Sequence, residues 1–260
     1  HEGLPQGIKE RMDVSISQSQ PDRIWALMSA AGGRGLYRSD DFGDTWQKIS
    51  NHAELTGRTY YFQKLLADPA DADIVYVMNC NSLVSRDGGV TFEVIPSGHA
   101  DHHAFWIDPN DNQRIIDGSD GGAQITFNGG KSWSSLYNQP TGQFYTLTLD
   151  DQEPFNLYGS QQDWGTLIVP SIARKPDARG YFDTGWSEAG HVAVSHDNPN
   201  VLYISDHHWL LRYDRRTDAV KYIGPRDETN YGVGTRDIKY RFNWTFPVVS
   251  SIHDDRTVYV

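Results

Sequence analysis

Apolar positions along the chain gather in short runs rich in Val, Ile, Tyr, Trp and Thr, each closed off by Gly, Pro, Asp or Asn. Uninterrupted helical periodicity is almost absent, and the predicted class is all-β. One pattern recurs, a turn signal followed by an apolar strand. Pro21-Asp22 precedes Ile24-Trp25-Ala26, and Asp68-Pro69 precedes Ile74-Val75-Tyr76-Val77. The order returns with Asp108-Pro109-Asn110 before Ile115-Ile116, Asp150-Asp151-Gln152-Glu153-Pro154 before Leu157-Tyr158, Asn198-Pro199-Asn200 before Val201-Leu202-Tyr203, and His253-Asp254-Asp255 before Val258-Tyr259-Val260. Measured at Trp25, Tyr76, Ile116, Tyr158, Tyr203 and Tyr259, successive copies are 51, 40, 42, 45 and 56 residues apart. That is the length of a four-stranded β-propeller blade. The repeats predict one propeller domain over 1–260, with blades at roughly 8–50, 58–96, 99–137, 142–175, 186–224 and 242–260. Five blades and the first part of a sixth are expected, an incomplete propeller whose remainder belongs to a longer chain, because Val258-Tyr259-Val260 breaks off inside an apolar strand.

A second repeat runs out of phase with the first. Ser39-Asp40-Asp41-Phe42-Gly43-Asp44-Thr45-Trp46 and Ser85-Arg86-Asp87-Gly88-Gly89-Val90-Thr91-Phe92 share Ser, Asp, Gly, Thr and an aromatic at the same offsets; Thr126-Phe127-Asn128-Gly129-Gly130-Lys131-Ser132-Trp133 repeats them with conservative changes. A tight hairpin needs these types: Asp or Asn accepts backbone amides, Gly takes positive φ, and the aromatic packs between sheets. Asp41, Asp87 and Asn128 therefore read as structural, in turns from the third to the fourth strand of a blade. The Pro/Asp/Asn turns join first to second strands, at the same end.

Lys and Arg number 23 against 34 Asp and Glu, a net charge of −11 spread along the chain. No basic surface is available to follow a phosphate backbone, so nucleic acid and anionic membrane are poor partners. No apolar run is long enough to span a bilayer. Cys80 is the only cysteine, which rules out an internal disulfide, and it reads as a buried, inert thiol.

The three hairpins resemble Asp-boxes of sialidase-type and sortilin-type propellers. Longer stretches resemble a bacterial group labelled BNR-repeat glycosyl hydrolase or sortilin-like: Leu36 to Asp41, Asp101 to Pro109, Ser119-Asp120-Gly121-Gly122, Asn138 to Tyr145, Gly159 to Asp163 and Lys239 to Trp244. The resemblance implies an extracytoplasmic propeller, secreted or periplasmic, without a cofactor. Function does not follow from such a fold. In xyloglucan-degrading propeller hydrolases, which the chain distantly resembles, a catalytic Asp follows the second strand of the first blade. Here that stretch is Ala26-Leu27-Met28-Ser29-Ala30-Ala31-Gly32-Gly33, with no acid.

The opposite end of the blades forms the channel mouth. Segments leading into first strands bring His99, Asp101, His102, His103, Glu188, His191, Arg241 and Asn243 there. Those leaving second strands bring Asn79, Ser119-Asp120, Gln161-Gln162-Asp163-Trp164 and Asp206-His207-His208-Trp209. Acids, amides and imidazoles beside Trp rings suit a glycan or peptide. His102, His103, Gln161, Gln162, Trp164, His191, Trp209, Arg241 and Asn243 are the binding candidates, and Asp120, Asp163 and Glu188 the carboxylates for glycoside hydrolysis, should it occur. A purely architectural propeller is the third reading. The two Asp-His-His runs suggest metal, but neighbouring residues on a strand point to opposite faces, so His102 and His103 cannot share a site without a bulge, and no metal is expected.

Overall fold

A computed structural model describes residues 2–137, 142–172, 182–184, 187–207, 209–225, 234–254 and 256–260. The chain divides into two compact units, 1–140 and 141–260, each taken on its own below. Among the described residues regular structure is almost all strand; two short 3-10 turns, Ala53–Thr56 and Thr235–Asp237, are the only helical pieces.

The first unit holds three antiparallel meanders. Strands β1 (Lys9–Ile16), β2 (Ile24–Ala30), β3 (Gly35–Ser39) and β4 (Gln47–Ser50) pair in chain order, as do β5 (Lys64–Ala67), β6 (Val75–Met78), β7 (Ser82–Ser85) and β8 (Glu93–Val94). The third has three strands, β9 (His102–Asp108), β10 (Asp111–Ser119) and β11 (Gly122–Thr126). A fourth was expected before residue 137. Beside β11, Ser134 N donates to Ile125 O, but the returning bond from Ile125 N goes to the Ser134 hydroxyl at 3.0 Å, and a side chain in a ladder position ends the pairing. Such four-stranded up-and-down sheets are propeller blades.

Blades stack through apolar faces. Trp25, Leu27 and Leu36 of the first pack on Leu65, Val75, Val77 and Leu83 of the second. Tyr76 and Val84 of the second meet Ile107 and Ile115 of the third. Each large side chain so buried contributes roughly 1.5–3 kcal/mol. The second unit repeats the scheme. Strands β12 (Thr148–Leu149), β13 (Asn156–Gln161), β14 (Gly165–Pro170) and β15 (Phe182–Asp183) form one sheet; β16 (Val192–Val194), β17 (Val201–Asp206), β18 (Trp209–Asp214) and β19 (Ala219–Tyr222) form the next; β20 (Val249–Ser250) pairs with β21 (Val258–Tyr259). Tyr158 and Ile168 pack on Leu202, Ile204 and Leu211, and Ala193, Val201 and Tyr203 pack on Phe246 and Val248.

In every meander the first-to-second and third-to-fourth turns share one end, the hairpin end. The second-to-third turn and the links to neighbouring sheets share the other, the connector end. The three Asp-boxes lie at hairpin ends. The Ser39 hydroxyl donates to Asp41 at 2.7 Å, and Asp41 receives Thr45 N at 2.9 Å and the Thr45 hydroxyl at 2.6 Å. Gly43, at φ +90°, turns its N–H onto Ser39 Oγ at 2.8 Å. Ser85, Asp87, Gly89 and Thr91 reproduce the network. In the third box Asn128 Oδ1 takes Ser132 N at 2.9 Å, and Gly130 N donates to Thr126 Oγ1. One bond reverses there: the Asn128 amide donates to the Ser132 hydroxyl at 2.8 Å. Phe92 packs into the first inter-blade core and Trp133 into the second, whereas Trp46 lies on Ala26, Met28 and Tyr37 of its own sheet.

Candidate functional site

The connector end of the first unit is built of paired charges. Arg58, in the link before β5, donates to both Asp101 oxygens at 2.9 and 2.7 Å, to the Tyr60 hydroxyl at 3.2 Å, and from Nε to Cys80 Sγ at 2.9 Å. The hydrogen bond to Cys80 leads in raising the Arg58 pKa, which burial opposes and Tyr60 and the Asp101 charge assist. Cys80, expected as a buried thiol, is half-buried and accepts a charge-assisted hydrogen bond, because the link before β5 places Arg58 over it. A cavity of about 320 Å³ opens here, lined by Arg58, Tyr60, Asn79 and Cys80 among others. His103 Nε2 lies 2.8 Å from Asp120, its ring 4.3 Å from that of Phe62.

His102 behaves differently from its neighbour. Asp117 pairs with Phe105 and Ser119 with His102, so the β9–β10 register slips and leaves His103 unmatched. This bulge is the condition alternation demanded for the two imidazoles. His102 turns inward, 0% exposed, with Nδ1 2.8 Å from Asp117 and Nε2 3.1 Å from Ser97.

The second unit's connector end centres on Glu188, in the link before β16. Its Oε2 accepts the backbone N–H of Asp163 at 3.2 Å, in the β13–β14 turn, and its Oε1 lies 3.0 Å from His207 Nε2, in the β17–β18 turn. His207 Nδ1 lies 2.7 Å from Asp206. One carboxylate thus ties two blades together. Burial leads in pushing the Glu188 carboxyl up; a hydrogen bond and the charge of Asp163 add to it, and His207 pulls the other way. His191, on the same link, is lowered by burial.

Aromatic surface surrounds this group. Trp164 is 60% exposed, Trp244 51% and Trp209 45%, and the Trp244 ring stands edge-on to His207 with centroids 3.9 Å apart. Gln162 accepts the Tyr145 hydroxyl at 2.8 Å, while Gln161 lies beside Gly142 and Phe144. Arg241 and Asn243 are exposed in the segment before β20. His208 lies outside the described residues.

Backbone strain marks the same end. Six described non-glycine residues take positive φ, and four of them, Asp101, Asp163, Ser187 and His207, sit at connector ends, with Phe42 and Asp218 in hairpin turns. Each such residue costs roughly 1–2 kcal/mol, and strain of this kind gathers where side chains are aimed for a purpose. The sequence reading picked out Asp163 and Glu188 and placed His207 beside them. It missed Arg58, Ser97, Asp117 and Trp244 as site residues; for Arg58 the one available signal was a cation next to Tyr60-Tyr61-Phe62 outside both repeats.

Among the described residues no group of three or more His, Cys, Asp or Glu is arranged to hold a metal ion, and no helix is long and apolar enough to cross a membrane.

Comparison with known proteins recognises one of the hairpins. The BNR/Asp-box repeat family matches residues 37–48, the first hairpin. No curated protein sequence matches the chain. Among solved structures, the GH74 enzyme of Niastella koreensis aligns over 82% of this chain and 38% of its own, at 14% identity and a TM-score of 0.44. YCF48 from Cyanidioschyzon merolae aligns over 85% and 74%, at 17% identity and 0.37, and the GH74 xyloglucanase from Xanthomonas campestris over 81% and 38%, at 15% and 0.37. The chain spans 38% of the length of either GH74 enzyme. The described sheets are therefore blades of a β-propeller type that carry Asp-box hairpins at their turns, one of them matched by the BNR/Asp-box repeat model.

Proposed function

We propose that the connector end of the second unit binds a glycan or a peptide, and that the chain does so outside the cytoplasm. One observation carries this reading: Glu188 is held between the Asp163 backbone and the His207 ring, with exposed Trp164 and Trp244 on nearby connections and exposed Trp209 at the start of β18. Indole faces stack on sugar rings or peptide side chains, and carboxylates take hydroxyl or amide hydrogens. Glycoside hydrolysis would draw on the same raised acid, but needs two carboxyl groups about 5–9.5 Å apart. Glu188 is already engaged on both oxygens, Oε2 by the Asp163 backbone N–H and Oε1 by the His207 ring. Recognition is therefore favoured over cleavage.

Binding of oligosaccharide and peptide panels to the whole chain, read by calorimetry, tests this. Asp163→Ala, Glu188→Gln and Trp244→Ala should each weaken a hit about 10- to 100-fold, the worth of roughly 1–3 kcal/mol, without lowering the melt. Absence of any hit leaves an architectural role, and loss of binding in Asp41→Ala while the connector variants stay silent moves the site to the hairpin end. Fractionation of the producing cell checks the location.

A further inference from the structure

Three residues of the first unit stand in a relay that ligand binding does not use. Ser97 lies in the link between β8 and β9, His102 opens β9, and Asp117 sits on β10. Both Asp117 oxygens lie within 2.9 Å of His102 Nδ1, and the Gln124 amide donates to Oδ2 at 2.8 Å. An ionised carboxylate only accepts, so in the neutral imidazole the Nδ1 atom carries the proton and Nε2 presents a lone pair. Ser97 Oγ is 3.1 Å from that lone pair. His102 and Asp117 are fully buried, whereas Ser97 is half-exposed at the connector end. Nucleophile within reach of base, base oriented by acid, and only the nucleophile open to solvent is the geometry of acyl transfer.

We propose that Ser97 is a nucleophile toward carboxylic esters, with His102 as its base and Asp117 as the positioning residue. Ser97 Oγ adds to the ester carbonyl carbon while its proton passes to His102 Nε2. The carbon–alkoxy bond then breaks, and His102 returns the proton to the departing oxygen, releasing an alcohol. Water repeats the sequence on the acyl-serine: its proton goes to His102, its oxygen joins the carbonyl carbon, and the Ser97 oxygen leaves and is reprotonated. Ester and water become acid and alcohol, with no other reactant.

The Ser97 hydroxyl also lies 3.1 Å from His99 O, and a hydroxyl that only braces the link would point there. Two experiments on the whole chain separate these roles. A fluorophosphonate probe, followed by peptide mass mapping, should leave its adduct on Ser97. Hydrolysis of p-nitrophenyl acetate should fall on the order of 10³-fold in Ser97→Ala with an unchanged melt. Because His102 and Asp117 are buried and their loss can unfold the sheet, the base is tested through Ser97→Cys: residue 97 should then react with iodoacetamide faster than Cys80. An unlabelled Ser97, hydrolysis unaltered in Ser97→Ala, or a residue 97 thiol slower than Cys80 each overturns the proposal. None of these results depends on ligand binding in the second unit.

Discussion

Asp41 and Asp87 sit in hairpins where hydroxyl and backbone donors converge on each carboxylate, whereas Glu188 sits at a connector end against a second carboxyl group. The consequences run in opposite directions. The Thr45 hydroxyl, then the Thr45 backbone and Ser39, hold Asp41 down at about 2, and Thr91 and Ser85 do the same for Asp87. Asp214, the last residue of β18, is held at about 2, first by its hydrogen bond to Arg216. Asp150, between β12 and β13, is pushed up by burial but more strongly down by hydrogen bonds from Asn156, Tyr158 and Gln152. These four acids at hairpin ends are thus satisfied from within. Glu188 is raised, because burial and like charge outweigh His207. Hairpin ends use their carboxylates for folding; the second unit's connector end holds one that burial and a neighbouring like charge leave raised.

The largest test of this division uses two glycines with positive φ. At Gly89, φ +87°, an added Cβ would come within 2.9 Å of Trp25 and Leu36, whereas at Gly32, φ +74°, in the β2–β3 turn, it would meet nothing within 4 Å. Gly89→Ala should cost about 2–3 kcal/mol and Gly32→Ala about 1, the latter from backbone strain alone. Denaturant titration checks both, and equal costs would erase the contrast between packed hairpin and open connector.

Next comes acid. Folded Asp41 and Asp87 titrate at about 2 against an ordinary 3.8. Their contribution to stability is whole above the ordinary value and drains away as pH falls toward 2. Asp87→Ala should lower the melting temperature by several degrees at neutral pH. The Asp41→Asn, Asp87→Asn pair should melt close to wild type there, since Asn128 shows that an amide can hold the turn, and should lose less on acidification.

Glu188 has the opposite sign and the smallest effect. Raised above 4.5, it favours the folded chain most at pH below that value, and the benefit is lost as pH rises through its folded pKa. Glu188→Gln mimics the protonated acid and should raise the neutral-pH melt by about 1–2 °C. A lower melt would mean that the bond to His207 outweighs burial.

The hairpins were legible because their chemistry is local: Ser39 to Trp46 carries donor, acceptor, turn and aromatic within eight residues. Asp163 and Glu188 were legible singly from their place in the blade period. Their joint geometry was not, since it depends on a link and a turn from different repeats. The pairing of His102 with Asp117 rests on a one-residue slip in β9–β10, which leaves no periodic trace, and Arg58 meets Cys80 and Asp101, which lie 22 and 43 residues further along the chain.

The second and third Asp-box turns do not serve only their own sheets. Gly89 closes on Trp25 and Leu36 of the preceding blade, and Gly130 on Ile95, just past β8. Arg38 of the first blade donates to Gly88 O of the second. Each repeat therefore bolts down the one made before it, as in a nearest-neighbour array where stability passes along the series. During synthesis the first sheet would wait for the second hairpin to emerge before its core closed. Amides of β2 and β3 should owe their slow hydrogen exchange to residues some 50 positions downstream, so that a duplicated or deleted repeat would be felt first by the blade upstream of the change.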